Sequence, residues 1–332
     1  MNSTGVSSAG DRPVAADRPR IFIIAGPTGV GKTGAAVLVA EELGAEIISA
    51  DSRQIYRGLE IGTAAPAAPL LARIPHHLVA GRDPRESWSA GEFAREAADL
   101  AAEIVSRARH PLLVGGSGFY LQALTNGIFA EPDVDPEQRA AVRKRLRDRC
   151  AREGPEVLHA ELGRVDPAWA AAIAPTDSQR IVRGLEVWET HGRPLSDLQS
   201  HQADGPPLEA EFRSVLLVRD RADLYARIDR RVQEQLDRGW LDEARHLRQE
   251  GIPPDAPGLS GLGYDILFAH LDSELTLEEA RERIRQEHRH YAKRQLTWFR
   301  RFEAIRIPLT PEDGPSETAG KILTAWTPPG SS

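Results

Sequence analysis

The residues best suited to chemistry are Gly26, Pro27, Thr28, Gly29, Val30, Gly31, Lys32 and Thr33. They follow the apolar run Ile21-Phe22-Ile23-Ile24-Ala25 directly and precede residues 34–43, which read as a helix. Strand, G-x-x-x-x-G-K-T loop and helix together are the context in which such a loop binds phosphate. The glycines let backbone N–H groups turn inward, and the positive end of the helix adds to the field there. Lys32 can reach a terminal phosphate, and the Thr33 hydroxyl can hold Mg²⁺. The motif implies a diphosphate or triphosphate without saying which, or what the phosphate is for.

Asp51 ends a short β-prone run, residues 46–50. At that edge of an open α/β sheet a carboxylate can act as a general base or hold a metal through water. An isolated Asp there is more often a loop cap. Ser52-Arg53-Gln54-Ile55-Tyr56 beside it supplies side chains that hydrogen-bond and stack on bases. Gly115-Gly116-Ser117-Gly118 ends another predicted strand at the same edge, where Ser117 can bond a substrate. Two basic segments stand out. Arg139, Arg143, Lys144, Arg145, Arg147, Arg149 and Arg152 face a single local acid, Asp148, a pattern that a solvated helix face fits equally well. Arg285, Arg289, Lys293, Arg294, Arg300 and Arg301 are interleaved with His288, His290, Tyr291, Trp298 and Phe299, the mixture that base stacking beside phosphate contacts requires. The competing reading buries Trp298 and Phe299 as core. Gln179-Arg180-Ile181-Val182-Arg183 sets two arginines three apart on a helix face. His76-His77 has no further ligand at metal spacing, so no zinc is expected.

The elements that must position these residues alternate through residue 128: strand 21–25, helix 34–43, strand 46–50, a polar loop 51–66, a strand at 76–79, helix 89–109, strand 111–114 and helix 120–125. Ser89 with Glu92 three residues on forms a capping box for the long helix. This alternation predicts an α/β fold, a parallel sheet covered on both faces. Ala130-Glu131-Pro132-Asp133-Val134-Asp135-Pro136 breaks the pattern. Residues 130–207 read as a helical insertion with helices at 137–153, 155–163, 167–174 and 178–191. Strand character returns at 214–218. Helices follow at 221–236, with Leu224, Ile228, Val232 and Leu236 in one stripe, at 240–249 and at 277–302. A last strand at 305–307 and a short helix at 318–326 close the core. The expected organisation is a disordered leader 1–19, a core of 20–129 and 208–326, the insertion 130–207, and a disordered tail 327–332.

Composition sets broad limits. The 332 residues carry 42 Lys and Arg against 49 Asp and Glu, a net charge of −7, which argues weakly against nucleic acid unless the basic residues are clustered. One cysteine, Cys150, forbids an internal disulfide and suits a reducing, cytoplasmic setting. No apolar run reaches membrane-spanning length, and residues 1–20 lack the apolar core of a secretory signal.

In order along the chain, several segments match one family. They are Gly26 to Thr33, Asp51-Ser52-Arg53-Gln54-Ile55-Tyr56-Arg57-Gly58, Ile61-Gly62-Thr63-Ala64-Ala65-Pro66, Pro111 to Tyr120, Asp177-Ser178-Gln179-Arg180-Ile181-Val182-Arg183, Gly263-Tyr264, and Lys293-Arg294-Gln295-Leu296-Thr297-Trp298-Phe299-Arg300. With these the chain resembles the tRNA dimethylallyltransferases, or tRNA isopentenyltransferases, over residues 20–308. The resemblance implies a P-loop NTPase-like fold and transfer of the dimethylallyl group from dimethylallyl diphosphate to N6 of adenosine 37, next to the anticodon. It implies that Gly26 to Thr33 hold the donor diphosphate in place of ATP, with Lys32, Thr33, a Thr33-held Mg²⁺ and Arg221 acting on it. Asp51 would take or orient the N6 proton. Asp51, Ser52, Arg53, Gln54 and Ser117 would hold the target base, with Arg139, Gln179, Arg180, Ile181, Val182 and Arg183 on the tRNA anticodon stem-loop. The enzyme would be a cytoplasmic monomer. Ser117 replaces the family's common Thr and keeps the hydroxyl, Phe119 replaces Leu, and Ala65 replaces a Lys. The alternatives are a small-molecule kinase, a prenyltransferase acting on free adenine nucleotide, and an RNA-binding module without chemistry.

Overall fold

The computed structural model describes residues 18–128, 134–200 and 205–327. The expected disordered leader and tail lie almost wholly outside them. Where the leader meets the described residues it ends early, because Pro19 O already accepts from Glu211 N at 2.9 Å. The chain forms two compact units, with the break after Leu121 and the return at Leu208.

The first unit starts with β1 (Arg20–Ala25), α1 (Lys32–Leu43), β2 (Ala45–Ala50), α2 (Ala68–Leu71), β3 (His76–His77), α3 (Ala90–Ser106), β4 (His110–Gly115) and α4 (Gly118–Asn126). All but one residue of β1 and all of β2 are buried, the mark of a parallel sheet covered on both faces. The α3 helix opens with the expected capping box: Ser89 Oγ accepts from Glu92 N at 3.2 Å, and Glu92 returns the bond to Ser89 N at 2.8 Å. The strand at 76–79 is shorter than expected. Leu78 and Ala80 have positive φ, and the backbone turns so that Ala80 N bonds Gln54 O at 2.8 Å.

The second unit, residues 122–207, contains α5 (Pro136–Glu153), α6 (Pro155–Val165), α7 (Pro167–Ala172), α8 (Ser178–His191) and a helix not anticipated, α9 (Leu195–Ser200). Its core gathers Leu146, Leu158, Leu162, Ile181 and Leu185. The unit begins inside α4, earlier than the breaker-rich stretch suggested, because the helix carries the chain across without a break.

The first unit resumes with β5 (Glu211–Arg219), α10 (Arg221–Asp237), α11 (Trp240–Gln249), α12 (Tyr264–Leu271), α13 (Leu277–Phe299), β6 (Ile305–Leu309) and α14 (Pro315–Trp326). The α12 helix had no counterpart in the sequence reading. It starts at Gly263, whose φ of 94° is the left-handed conformation that glycine adopts freely. The α13 helix ends three residues sooner than its pattern suggests, where Arg306 Nη2 bonds the carbonyls of Phe299 and Arg300, both at 3.3 Å. The α10 stripe is buried as expected at Leu224, Ile228 and Val232.

The six strands are all parallel, in the order β3-β2-β4-β1-β5-β6. Ala25 aligns with Gly115 and Gly115 with Ala50, each the last residue of its strand, so the loops after β1, β4 and β2 leave the sheet at one level, while β5 runs on past Leu216 to Arg219. The β2–β4 approach at this level requires glycine: a Cβ on Gly115 would lie 2.0 Å from Ala50 O, a backbone atom that cannot swing away. Gly115→Ala is expected to cost at least about 1–3 kcal/mol, read as a lower urea midpoint at unchanged slope; wild-type stability would contradict this packing.

Candidate active site

The phosphate loop leaves β1 and returns into α1. Gly29 and Gly31 take φ of 80° and 111° there. Lys32 Nζ is folded back onto the loop, donating to Gly26 O at 2.8 Å and Pro27 O at 3.0 Å. Enclosure pushes its pKa down to about 8; Asp51 opposes that shift and Arg231 adds to it. Three arginines surround the loop. Arg219, the last residue of β5, donates from Nε to Val30 O at 2.9 Å. Arg227 Nε donates to Gly29 O at 3.0 Å, and Arg231 Nη2 to the Thr28 hydroxyl at 2.6 Å. Arg219 pairs with Asp223 at 2.8 Å. Arg231 forms no ion pair with any described residue, and burial lowers its pKa as it does that of Arg227.

These arginines take the place expected for Arg221. That side chain is exposed, bonding Tyr225 Oη from Nε at 3.0 Å and lying over the Tyr225 ring. The sequence reading took α10 as a core stripe. The usable signal was Arg227 and Arg231, four apart and each one residue before a buried stripe position, so that both flank the stripe on the side facing the loop.

Asp51 begins the next loop at the same edge. Its Oδ1 accepts from Arg53 N at 2.9 Å, and Ser52 N donates to Ser117 Oγ at 3.0 Å, which ties the β2 and β4 loops together. Arg53 Nη1 is anchored on Pro257 O at 2.8 Å. Gln54 turns inward instead of toward a substrate: its Nε2 donates to Ala64 O at 3.2 Å, and its Oε1 accepts from Ser49 Oγ at 3.2 Å. The α13 motif explains itself through Gln295, which accepts from Thr28 N at 2.8 Å and donates to Gly116 O at 2.9 Å. One amide thus joins the phosphate loop to the glycine turn, and a Cβ on Gly116 would strike it at 2.5 Å. A Cβ on Gly118 would lie 2.1 Å from the Trp298 ring, so Trp298 packs and does not stand free.

Thr28, Asp51, Arg53, Arg231, His288 and Tyr291 line one cavity. Phosphate loop and carboxylate therefore face the same space. His288 is buried, and its pKa falls to about 4 through desolvation, reinforced by Arg231; Nε2 faces Leu262 O at 3.2 Å, so the proton sits on Nε2. Burial, then Asp51, pushes the Tyr291 phenol up to about 12. Thr33 is half-buried in the first turn of α1. Among the described residues no group of three or more His, Cys, Asp or Glu is placed to hold a metal.

The remaining expected contacts, Arg139 and Gln179 to Arg183, lie in the second unit. Gln179 and Arg180 are exposed, and Arg180 Nε stands 3.5 Å from Asp177. Ile181 and Val182 are in that unit's core, so their side chains cannot touch a ligand. Arg183 pairs with Glu186 at 2.7 Å. The basic stretch of α5 is largely neutralised: Arg143 binds Glu186, Arg145 binds Glu189, Lys144 binds Asp148, and Arg149 binds Glu161 and Glu153. Most of these acids come from α6 and α8, beyond any local reading of the sequence.

A parallel sheet with a phosphate loop at its carboxyl edge after β1 and a carboxylate two strands away, after β2, defines a phosphate-loop α/β enzyme. The model of the IPP transferase family matches residues 54–302. The tRNA dimethylallyltransferase of Thermomicrobium roseum is 42% identical over 289 residues, covering 87% of this chain and 85% of its own. That of Symbiobacterium thermophilum is 45% identical over 282 residues, covering 85% and 86%. Among solved structures, the tRNA isopentenylpyrophosphate transferase of Bacillus halodurans aligns with a TM-score of 0.64 at 35% identity, covering 93% of this chain and 98% of its own. A eukaryotic dimethylallyltransferase acting on tRNA aligns at 0.69 and 25% identity, covering 87% and 74%. The chain belongs to the IPP transferase family, the tRNA dimethylallyltransferases.

His288 gives a pH prediction. Its folded pKa lies below the unfolded one, so the unfolded chain binds the extra proton first; its share of stability is complete above about pH 6.5 and lost as pH falls toward 4. Over that window the wild type should lose up to about 3 kcal/mol more than His288→Gln in urea unfolding. Parallel pH curves for the two proteins would contradict a neutral, buried His288.

Proposed function

We propose that this chain moves the dimethylallyl group of dimethylallyl diphosphate onto N6 of the adenosine next to the anticodon in tRNA, releasing diphosphate. The observation that carries the reading is the shared cavity: Asp51 faces the same space as Thr28 and Arg231, a cation with no ion-pair partner among the described residues. The allylic C1–O bond breaks, the C1–N6 bond forms, and the N6 proton passes to Asp51. Negative charge grows on the leaving diphosphate. Lys32, the loop N–H groups, Arg227 and Arg231 stand where it would develop, while Arg219 is spent on Val30 O, Asp223 and Asp313 O and braces the loop from behind; fixed donors in an enclosed site give the largest share of such catalysis. An exocyclic amine is a poor nucleophile, so alignment of N6 with C1 matters as much.

A metal fits this donor set only as a shared ion. With no acidic cluster among the described residues, Mg²⁺ would be held by Thr33 together with the diphosphate oxygens and water. Bound there, it would neutralise part of the charge on the leaving group.

The target base must leave the anticodon-loop stack to reach Asp51. Arg53 lines the cavity and would meet the base there, Ser117 would contact it from the glycine turn tied to Ser52 N, and Ser52 and Gln54 shape the loop that presents Asp51. Arg139, Gln179, Arg180 and Arg183 are the second unit's contribution to gripping the anticodon stem-loop. A single buried cysteine, Cys150, suits a reducing cytoplasm. No helix of the described residues is long and apolar enough to cross a membrane.

Asp51→Ala should lower single-turnover prenyl transfer by about 10²–10⁴-fold, with affinity for an anticodon stem-loop within threefold of wild type. Lost RNA affinity with the transfer rate intact would overturn the base assignment.

A further inference from the structure

We infer that Gln235, Glu243 and Tyr264 are positioning residues of the transfer reaction, clamping the Gly62–Thr63 wall of the cavity at a fixed place relative to Asp51 and the phosphate loop. The inference rests on the prenyl-transfer reading above. It gives a purpose to two sequence segments that the chemistry leaves unexplained, Ile61 to Pro66 and Gly263-Tyr264.

Residues 51–66 contain no helix or ladder strand, and their internal bonds are local turns such as Thr63 N to Leu59 O and Ala64 N to Ile61 O, both at 3.0 Å, with Gln54 Nε2 reaching Ala64 O at 3.2 Å. Two helices fix this turn in place from outside. Glu243 on α11 accepts from Ile61 N at 2.8 Å and from Gly62 N at 2.9 Å. Gln235 on α10 donates from Nε2 to Ile61 O at 2.7 Å and to Gly62 O at 2.9 Å. All four backbone polar groups of these two residues are thus taken by side chains of two helices. Tyr264 Oη donates to Glu243 Oε1 at 2.6 Å and holds the carboxylate from behind. Gly263 delivers that tyrosine, since a Cβ there would press on Ile284 at 2.8 Å. Gly62 is required in turn: its Cβ would stand 2.2 Å from Tyr264 Oη and 2.4 Å from Trp240 Nε1. Gly62 and Thr63 line the cavity with Asp51 and Thr28.

The α10 helix links the two sides. Gln235 lies four residues after Arg231, on the same face, and Arg231 holds the Thr28 hydroxyl. One helix therefore grips the phosphate loop with one side chain and the cavity wall with the next. Burial raises the Glu243 carboxyl above its ordinary range, so the site keeps an expensive carboxylate where three donors meet. Transfer needs the reacting atoms in near-attack alignment, and a displacement of about 1 Å can cost about a hundredfold in rate. The clamp should therefore act on kcat, while the loop and its arginines set affinity for the donor.

The test compares full-length wild type, Glu243→Gln and Tyr264→Phe in steady-state prenyl transfer to an anticodon stem-loop, varying dimethylallyl diphosphate, with urea unfolding alongside. Glu243→Gln should lower kcat at least about tenfold and Tyr264→Phe about threefold, each with the donor KM within about twofold of wild type. A folded Glu243→Gln with kcat within twofold of wild type overturns the inference, as does a kcat loss matched by the fraction unfolded or by an equal rise in donor KM. If Glu243→Gln does not fold, Tyr264→Phe decides by the same criteria. A wild type that transfers no prenyl group overturns the parent reading and this one together, and that result is visible before any variant is compared.

Discussion

Positive charge is enclosed at the carboxyl edge of the sheet with too little negative charge bonded to it. Lys32 and Arg231 form no ion pair with any described residue, and enclosure lowers the pKa of both. Burying an uncompensated charge is costly unless a partner arrives. Lys32 meets that cost by capping the carbonyls of its own loop, and Arg231 by bonding Thr28. A diphosphate entering the cavity would displace the first arrangement and satisfy both cations. The rest of the first unit serves to hold this imbalance in place. Parallel strands bring three loops to one level, Gly115 lets β2 and β4 close up, and Gln295 locks the phosphate loop to the glycine turn.

Asp51 acquires its role from that surrounding. An isolated loop aspartate with one local backbone bond would be unremarkable. It faces Arg231 and the phosphate loop across one cavity, and in the proposed reaction that makes it the group a nucleophile passes on its way to an electrophile held by its leaving group. The same logic separates Arg53, which lines the cavity, from Gln54, whose amide is spent on its own loop.

Local physics made much of this legible in the amino-acid sequence. The strand, glycine loop and helix around Gly26 to Thr33 are contiguous, and the Ser89–Glu92 capping box spans one turn, so both could be read directly. The α12 helix lacked a polar capping residue and began instead at a left-handed glycine, a signal with many other meanings. The arginines that crowd the phosphate loop come from nearly two hundred residues away in the chain, and only the parallel pairing of β1 with β5 brings them there. Arg221 reads from sequence as a helix-start cation after a strand; it is exposed, while Arg219, two residues earlier, holds the last position of a buried strand. The basic run of α5 misled for the opposite reason. Its single local acid suggested a bare cationic face, but Glu161, Glu186 and Glu189 meet it from other helices.

The central claim is that the enclosed cations wait for an allylic diphosphate as a leaving group, not for ATP as a phosphoryl donor. The most direct measurement incubates the protein with dimethylallyl diphosphate labelled in the allylic carbons, or with γ-labelled ATP, each with and without an anticodon stem-loop carrying adenosine 3′ of the anticodon. The account predicts label from the allylic donor on the RNA adenosine, dependent on the stem-loop. ATP turnover without RNA, and no label transferred from the allylic donor, would contradict it.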